Sequence, residues 1–205
     1  QDLGDSLSPY QMTAAGTKEI LTNVYEGLYK VTPSGDYVPA IAEGHTLSED
    51  GLTYSFKLRS GVKFHTGAEV TAEDVLSSFD TCLETTVDSS LPKALNGAKW
   101  EADGSDTIKI TLPSPNNDFL AYVSMVYIVP KDNADLTTNP VGTGPYKFVS
   151  RSVQENIIFE KNAEYWGEAA KLDKVTCKIY EDVTALVTTD PAISIEKKDA
   201  YVGGN

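Results

Sequence analysis

Between Leu52 and Arg59 the chain alternates without a break: Leu52, Tyr54, Phe56 and Leu58 are apolar, while Thr53, Ser55, Lys57 and Arg59 are polar. A period of two puts every apolar side chain on one face of an extended segment, so this stretch is expected to be a strand with one buried face. The turn residues Ser48-Glu49-Asp50-Gly51 precede it, which predicts a hairpin. After Gly61 the alternation continues through Val62 and Phe64. Thr71 stands three residues before Asp74, the spacing of a helix-capping pair, and predicts a helix over 72–84 with Val75, Leu76, Phe79 and Leu83 inward. A second hairpin is expected from 98–102 and 107–112 around Asp103-Gly104-Ser105-Asp106. Further strands are expected at 126–129, 146–150, 156–160 and 174–180. Near the start, Ile20, Leu21, Val24 and Leu28 recur at helical spacing and predict one amphipathic helix over 13–29, ending near Gly27. Strands that come as hairpins and outnumber helices point to an α+β fold with a mixed sheet and flanking helices.

Composition narrows the classes of function. The chain of 205 residues is long enough to bury a core. Its longest apolar run, 120–130, falls well short of the roughly 20 residues that a membrane-spanning helix needs. A formal charge of -13 repels phosphate backbones and anionic lipid, which makes nucleic acid an unexpected partner. Cys82 and Cys177 lie far apart with no CxxC pattern or neighbouring histidine, and read as two buried thiols in preference to a disulfide or a zinc site.

The inventory for catalysis is thin. His45 and His65 are the only histidines and do not form a metal-binding HExxH pair. No GxSxG elbow or phosphate-binding Walker loop occurs. Gly142-Thr143-Gly144 shares two glycines with the dinucleotide fingerprint, yet Lys147 stands in the third position and Pro145 obstructs a helix start. Acid pairs such as Glu49-Asp50 and Glu73-Asp74 fit turns and helix starts, where negative charge is favourable. No catalytic residue, metal site or cofactor is expected.

Several segments, in order, resemble the extracellular solute-binding proteins of family 5, the oligopeptide, dipeptide and nickel type. They are Asn23-Val24-Tyr25-Glu26-Gly27-Leu28-Tyr29; Pro39-Ala40-Ile41-Ala42-Glu43; the block from Ser48 to His65; Thr71-Ala72-Glu73-Asp74-Val75; Pro140-Val141-Gly142-Thr143-Gly144-Pro145-Tyr146; and Asn162-Ala163-Glu164-Tyr165-Trp166-Gly167. The resemblance spans about residues 7 to 188. It implies one lobe of a two-lobed, periplasmic-binding-protein-like clamp over 1–189, with a small hairpin subdomain at about 43–115. Residues 182–189 then resemble the helix before the chain leaves for the second lobe, and 192–202 the strand that returns, with a second lobe missing near 189–191.

Such receptors hand a captured solute to the permease subunits of an ABC importer. The resemblance therefore implies a monomeric, extracytoplasmic protein, periplasmic or lipid-anchored and peripheral to the membrane, whose ligand is a peptide or another small solute. The residues expected to contribute to ligand binding are Tyr25 and Glu26, Met125 and Tyr127, and Thr143, Gly144 and Tyr146. The glycine loop is included because exposed backbone groups and the Thr143 hydroxyl can bond a ligand's main chain. A rival reading is a standalone peptide-interaction or chaperone-like domain without a role in transport.

Overall fold

The computed structural model describes residues 5–180, apart from Ser89 and Ala134. The expected helix at 182–189 and returning strand at 192–202 lie outside the described residues.

The alternating segment builds the centre of the fold. Strand β3 (Ala42–Leu47) and strand β4 (Thr53–Leu58) form an antiparallel hairpin. On its other side β4 pairs with β6 (Thr107–Thr111), which pairs in turn with β5 (Lys99–Ala102), giving the order β3-β4-β6-β5. Register sets Tyr54 opposite Ile110 and Phe56 opposite Ile108, so one face carries the buried side chains that the alternation predicts. Leu52, at the turn, is only half-buried.

Helix α2 (Ala72–Thr85) contacts β5 and β6 through this apolar layer, with Val75, Phe79 and Cys82 fully enclosed. Its start is the capping box read from the sequence: the Asp74 amide donates to the Thr71 hydroxyl at 3.2 Å, and the Thr71 amide donates to the Asp74 carboxylate at 2.9 Å. The other Asp74 oxygen accepts the Lys131 amide at 3.0 Å, and Ser78 bonds both the amide and the carbonyl of Val129. The helix therefore pins the extended passage 129–131 as well as covering the sheet.

Two expectations fail here. The helix expected over 13–29 is α1 (Ala15–Leu21), about two fifths as long as the apolar spacing suggested. Val24 and Leu28 are buried, yet the backbone around them serves neighbours: the Glu26 carbonyl accepts Ile128 N–H, Gly27 accepts Ile41, and Leu28 accepts Ala40 and Ala42. Those carbonyls cannot also bond along a helix axis, and the tertiary pairing overrides the local period. The second failure is the strand at 126–129. Phe119–Met125 is helix α4, and beyond it only an isolated bridge joins Tyr127 to Gly27.

Strands β1 (Tyr29–Val31) and β2 (Tyr37–Pro39) make a hairpin against α4, while a short helix α3 (Ser90–Ala94) leads towards β5. The last sheet, β7 (Tyr146–Ser152), β8 (Asn156–Lys161) and β9 (Lys174–Lys178), is antiparallel in that order. The α+β class stands, and the described strands divide among three sheets in which every pair is antiparallel. Cys82 and Cys177 do not form a disulfide with each other; Cys177 is only half-buried, and burial pushes the Cys82 thiol up to about 12.

Candidate functional site

The sequence segments quoted above converge on one carboxylate. Glu26 is 4% exposed, and both of its oxygens are occupied. Oε1 accepts the Tyr165 hydroxyl at 2.6 Å and lies 3.5 Å from the Lys30 ammonium. Oε2 accepts the Trp166 indole N–H at 2.8 Å and the Thr143 hydroxyl at 3.1 Å. Arg59, at the end of the alternating strand, stacks its guanidinium 4.4 Å from the Trp166 ring centre and donates to the Ala40 carbonyl at 3.2 Å. A buried carboxylate is tolerable only when its lone pairs are filled, and here Lys30 from the same segment and three donors from two distant segments fill them.

The glycine loop is packed from beneath. A Cβ on Gly142 would lie 2.1 Å from the Val24 carbonyl oxygen, and one on Gly144 would lie 2.4 Å from that of Asn23, so only glycine lets the two backbones approach. Gly144 N–H donates to Val24 at 2.9 Å, and Tyr146 N–H to Asn23 at 3.1 Å. The Gly144 carbonyl accepts both Asn162 Nδ2, at 3.1 Å, and His65 Nε2, at 3.0 Å. Gly142 N–H donates to His65 Nδ1 at 3.4 Å, and the Gly142 carbonyl accepts His65 N–H at 2.9 Å. A ring nitrogen beside a carbonyl must carry a proton, while the one receiving an N–H must not, so His65 is the neutral Nε2–H tautomer. Burial holds its pKa down at about 4; the Gly144 bond opposes that shift, and the charge of Lys147 adds to it.

These contacts decide what each expected ligand residue offers. Tyr25 is enclosed, donates its hydroxyl to Leu7 at 3.0 Å, and has its phenol pushed up by burial. Glu26, Thr143 and Gly144 spend their polar atoms on one another and on the motifs around them. Tyr127 and Tyr146 are half-buried, with the Tyr127 ring 5.9 Å from that of Tyr25 and its carbonyl accepting the Tyr10 hydroxyl. Met125, at the end of α4, is 38% exposed and presents the most open surface of the seven. The structure joins Glu26, Thr143 and Gly144 in one network and leaves Met125 outside it. Sequence reasoning missed Arg59, His65, Asn162, Tyr165 and Trp166 as partners of this network, although all five stand within the quoted segments. The signal available was the common membership of those segments.

Among the described residues no group of three or more His, Cys, Asp or Glu side chains is placed to hold a metal ion. An open cavity of about 1000 Å³ lies by the start of α2, with Glu73, Asp74, Lys131 and Asn133 in its wall, and includes none of the seven expected residues. No helix among the described residues is long and apolar enough to cross a membrane.

Comparison with known proteins places this geometry. The family model for bacterial extracellular solute-binding proteins, family 5, matches residues 36–189. The glutathione-binding protein GsiB of Salmonella typhi is 33% identical over 188 residues, which is 86% of this chain and 36% of that protein. Among solved structures, the ABC transporter-associated periplasmic binding protein DppA from Helicobacter pylori, in complex with the peptide STSA, superposes with a TM-score of 0.80 at 31% identity, over 91% of this chain and 42% of that one. NikA from Brucella suis, in complex with Fe(III)-EDTA, gives 0.78 at 28% identity, over 90% of this chain and 39% of that one. The chain thus spans about two fifths of the length of these relatives or somewhat less. With a family match over most of its length and a fold shared with these binding proteins, the chain belongs to the bacterial extracellular solute-binding proteins, family 5.

Proposed function

We propose that this chain forms one lobe of the substrate-binding component of an ABC importer, which captures a peptide or related small solute outside the cytoplasm and delivers it to the permease. The fit of nine-tenths of the chain onto a peptide-bound binding protein carries this reading. Glutathione, peptides and metal chelates are the ligands named for its relatives, and small peptides are the class those names share most directly.

In this reading the protein works as a monomer, periplasmic or lipid-anchored, and the remainder of the receptor's length completes the ligand site. Two lobes closing on a solute create the affinity, and the closed form is what a permease recognises. Glu26, Thr143 and Gly144 hold the lobe's surface in shape, while Met125, Tyr127 and Tyr146 offer it to the ligand. Met and Tyr suit tolerant recognition, since both present apolar area that adapts to different side chains.

Isothermal titration of the 205-residue chain with glutathione, with mixed di- to pentapeptides and with Ni²⁺ tests the proposal. Half a clamp buries too little ligand surface, so weak or undetectable binding is expected, against clear binding by the full-length receptor. Micromolar binding by the 205-residue chain alone would overturn the idea that a second lobe is required. No binding of any of these by the full-length receptor would overturn the peptide reading itself.

A further inference from the structure

Asn96-Gly97 is the only asparagine–glycine pair in the sequence, and it occupies the turn between α3 and β5. Asn96 is exposed, and among the described residues no hydrogen bond engages its side-chain amide or the N–H of Gly97. Gly97 is exposed and sits at φ +77°, a conformation that favours a residue without a Cβ, so its nitrogen carries no side chain of its own beside it. Every other described asparagine is held or blocked. Asn23 donates to Ile20 at 3.1 Å, and Asn162 is bonded at both ends of its amide. Asn133 Oδ1 accepts the Asp135 amide at 3.3 Å. The Asp118 N–H that follows Asn117 is already committed to Asn116 Oδ1 at 3.0 Å. Asn139 precedes Pro140, which has no N–H, and Asn156 lies within the ladder of β8.

We propose that Asn96 is a site of spontaneous covalent modification, deamidating through a cyclic imide to a mixture of aspartate and isoaspartate. The Gly97 nitrogen attacks Cγ of Asn96; the new C–N bond forms as the Cγ–Nδ2 bond breaks, and the former Gly97 amide proton leaves with Nδ2 as ammonia. Water then opens the five-membered imide. Addition at Cγ restores the main chain with an aspartate, and addition at the other carbonyl routes the main chain through Cβ and Cγ as isoaspartate.

The position gives the change a structural consequence. Ala98 N–H closes the turn on the Leu95 carbonyl at 3.0 Å, and Leu95 is a fully buried anchor. Isoaspartate adds a carbon to the main chain inside that turn and a negative charge to its tip. Strand β5 follows at once and is an edge strand, paired on one side only, whose Trp100 packs on Phe79 and donates to Asp80 at 2.8 Å. Edge strands open more readily than central ones, so the added length loosens β5 from its start while β4 and β6 stay paired.

The test uses the whole 205-residue chain, held folded in mildly alkaline buffer at physiological temperature and sampled over days. Tryptic cleavage after Lys93 and Lys99 isolates peptide 94–99, in which mass spectrometry reads conversion of the amide to acid and electron-transfer fragmentation separates aspartate from isoaspartate. Conversion at Asn96 is expected first, with isoaspartate present and faster exchange of the Ala98 amide in the converted fraction. Asn96→Gln should fold normally and remain unconverted, because its longer side chain disfavours the ring. Gly97→Ala should slow conversion about tenfold by crowding the attacking nitrogen. Retention of the Asn96 amide while another asparagine converts would overturn the proposal, and unchanged Ala98 exchange after conversion would overturn its structural consequence.

Discussion

The four-stranded sheet and the Glu26 network are both buried, but opposite physics holds them. In the sheet, Phe56, Ile108 and Ile110 have only to leave water, and any well-shaped apolar neighbour suffices. In the network a charged carboxylate has been taken out of water, which is tolerable only while Tyr165, Trp166 and Thr143 all keep donating. The sheet should therefore fail in proportion to volume lost, and the network according to which polar atom is left without a partner. Both regions shape the fold, yet of the two only the network ties the residues before β1 to the loop before β7 and the segment after β8.

The largest effect is expected at the centre of the sheet. Phe56 is fully enclosed, and its ring lies 5.9 Å from Tyr29 and 6.4 Å from Phe119. Phe56→Ala removes the ring and leaves a cavity, costing about 3–5 kcal/mol, which urea denaturation will measure. A loss below about 1 kcal/mol would mean that the sheet collapses around the gap.

In the network, Glu26→Ala deletes less volume than Phe56→Ala but strands the buried Thr143 hydroxyl and the half-buried Tyr165 and Trp166 donors, at an expected cost of about 2–4 kcal/mol. Glu26→Gln separates the two causes, because it preserves shape while replacing one acceptor oxygen by an NH₂ that meets a donor. If polar satisfaction governs, Glu26→Gln should recover less than half of the loss and shift Trp166 emission, since the indole N–H loses its charged acceptor. Full recovery by glutamine would show that the network behaves like the sheet, through volume alone.

Acid probes the same contrast without mutation. His65 keeps its neutral form in the fold, with a pKa of about 4 against an ordinary value of 6.5. Between those values the unfolded chain binds a proton that the folded chain refuses, so stability falls as pH drops from 6.5 towards 4 and levels off below. The shift sets an upper bound of about 3 kcal/mol, reduced by the solvent that reaches this half-buried ring. Denaturation midpoints measured across this range should show the slope in the parent chain and a flatter one in His65→Gln, whose amide can still accept from Gly142 and donate to Gly144. An equal slope in both would assign the acid loss to other groups.

How legible each region was follows from the same physics. The alternation from Leu52 to Leu58 and the Thr71–Asp74 cap are local, so the sequence alone predicts β4 and α2 nearly to the residue. Val24 and Leu28 keep a helical spacing while their backbone pairs across space, so the spacing predicts burial correctly and conformation wrongly. In 119–129 nearly every residue is apolar or small, and a run without contrast carries no period to divide helix α4 from the extended passage after it. The network is the least legible part. Glu26 and Tyr165 are 139 residues apart, and no local pattern tells that they touch.

Met125 tests where the ligand-facing surface lies, with the smallest expected change in stability. Its side chain is 38% exposed and stands outside both the sheet and the network. Met125→Ala should therefore move the unfolding midpoint of this chain by no more than about 0.5 kcal/mol, as other surface changes do. If Met125 belongs to the surface offered to a solute, the same substitution in the full-length receptor should weaken peptide binding several-fold while leaving its unfolding midpoint in place. Glu26→Gln should do the reverse in proportion, lowering stability first and affinity only through the displaced surface. Should Met125→Ala leave affinity untouched while Tyr146→Phe reduces it, the ligand lies towards the start of β7 and not at the end of α4.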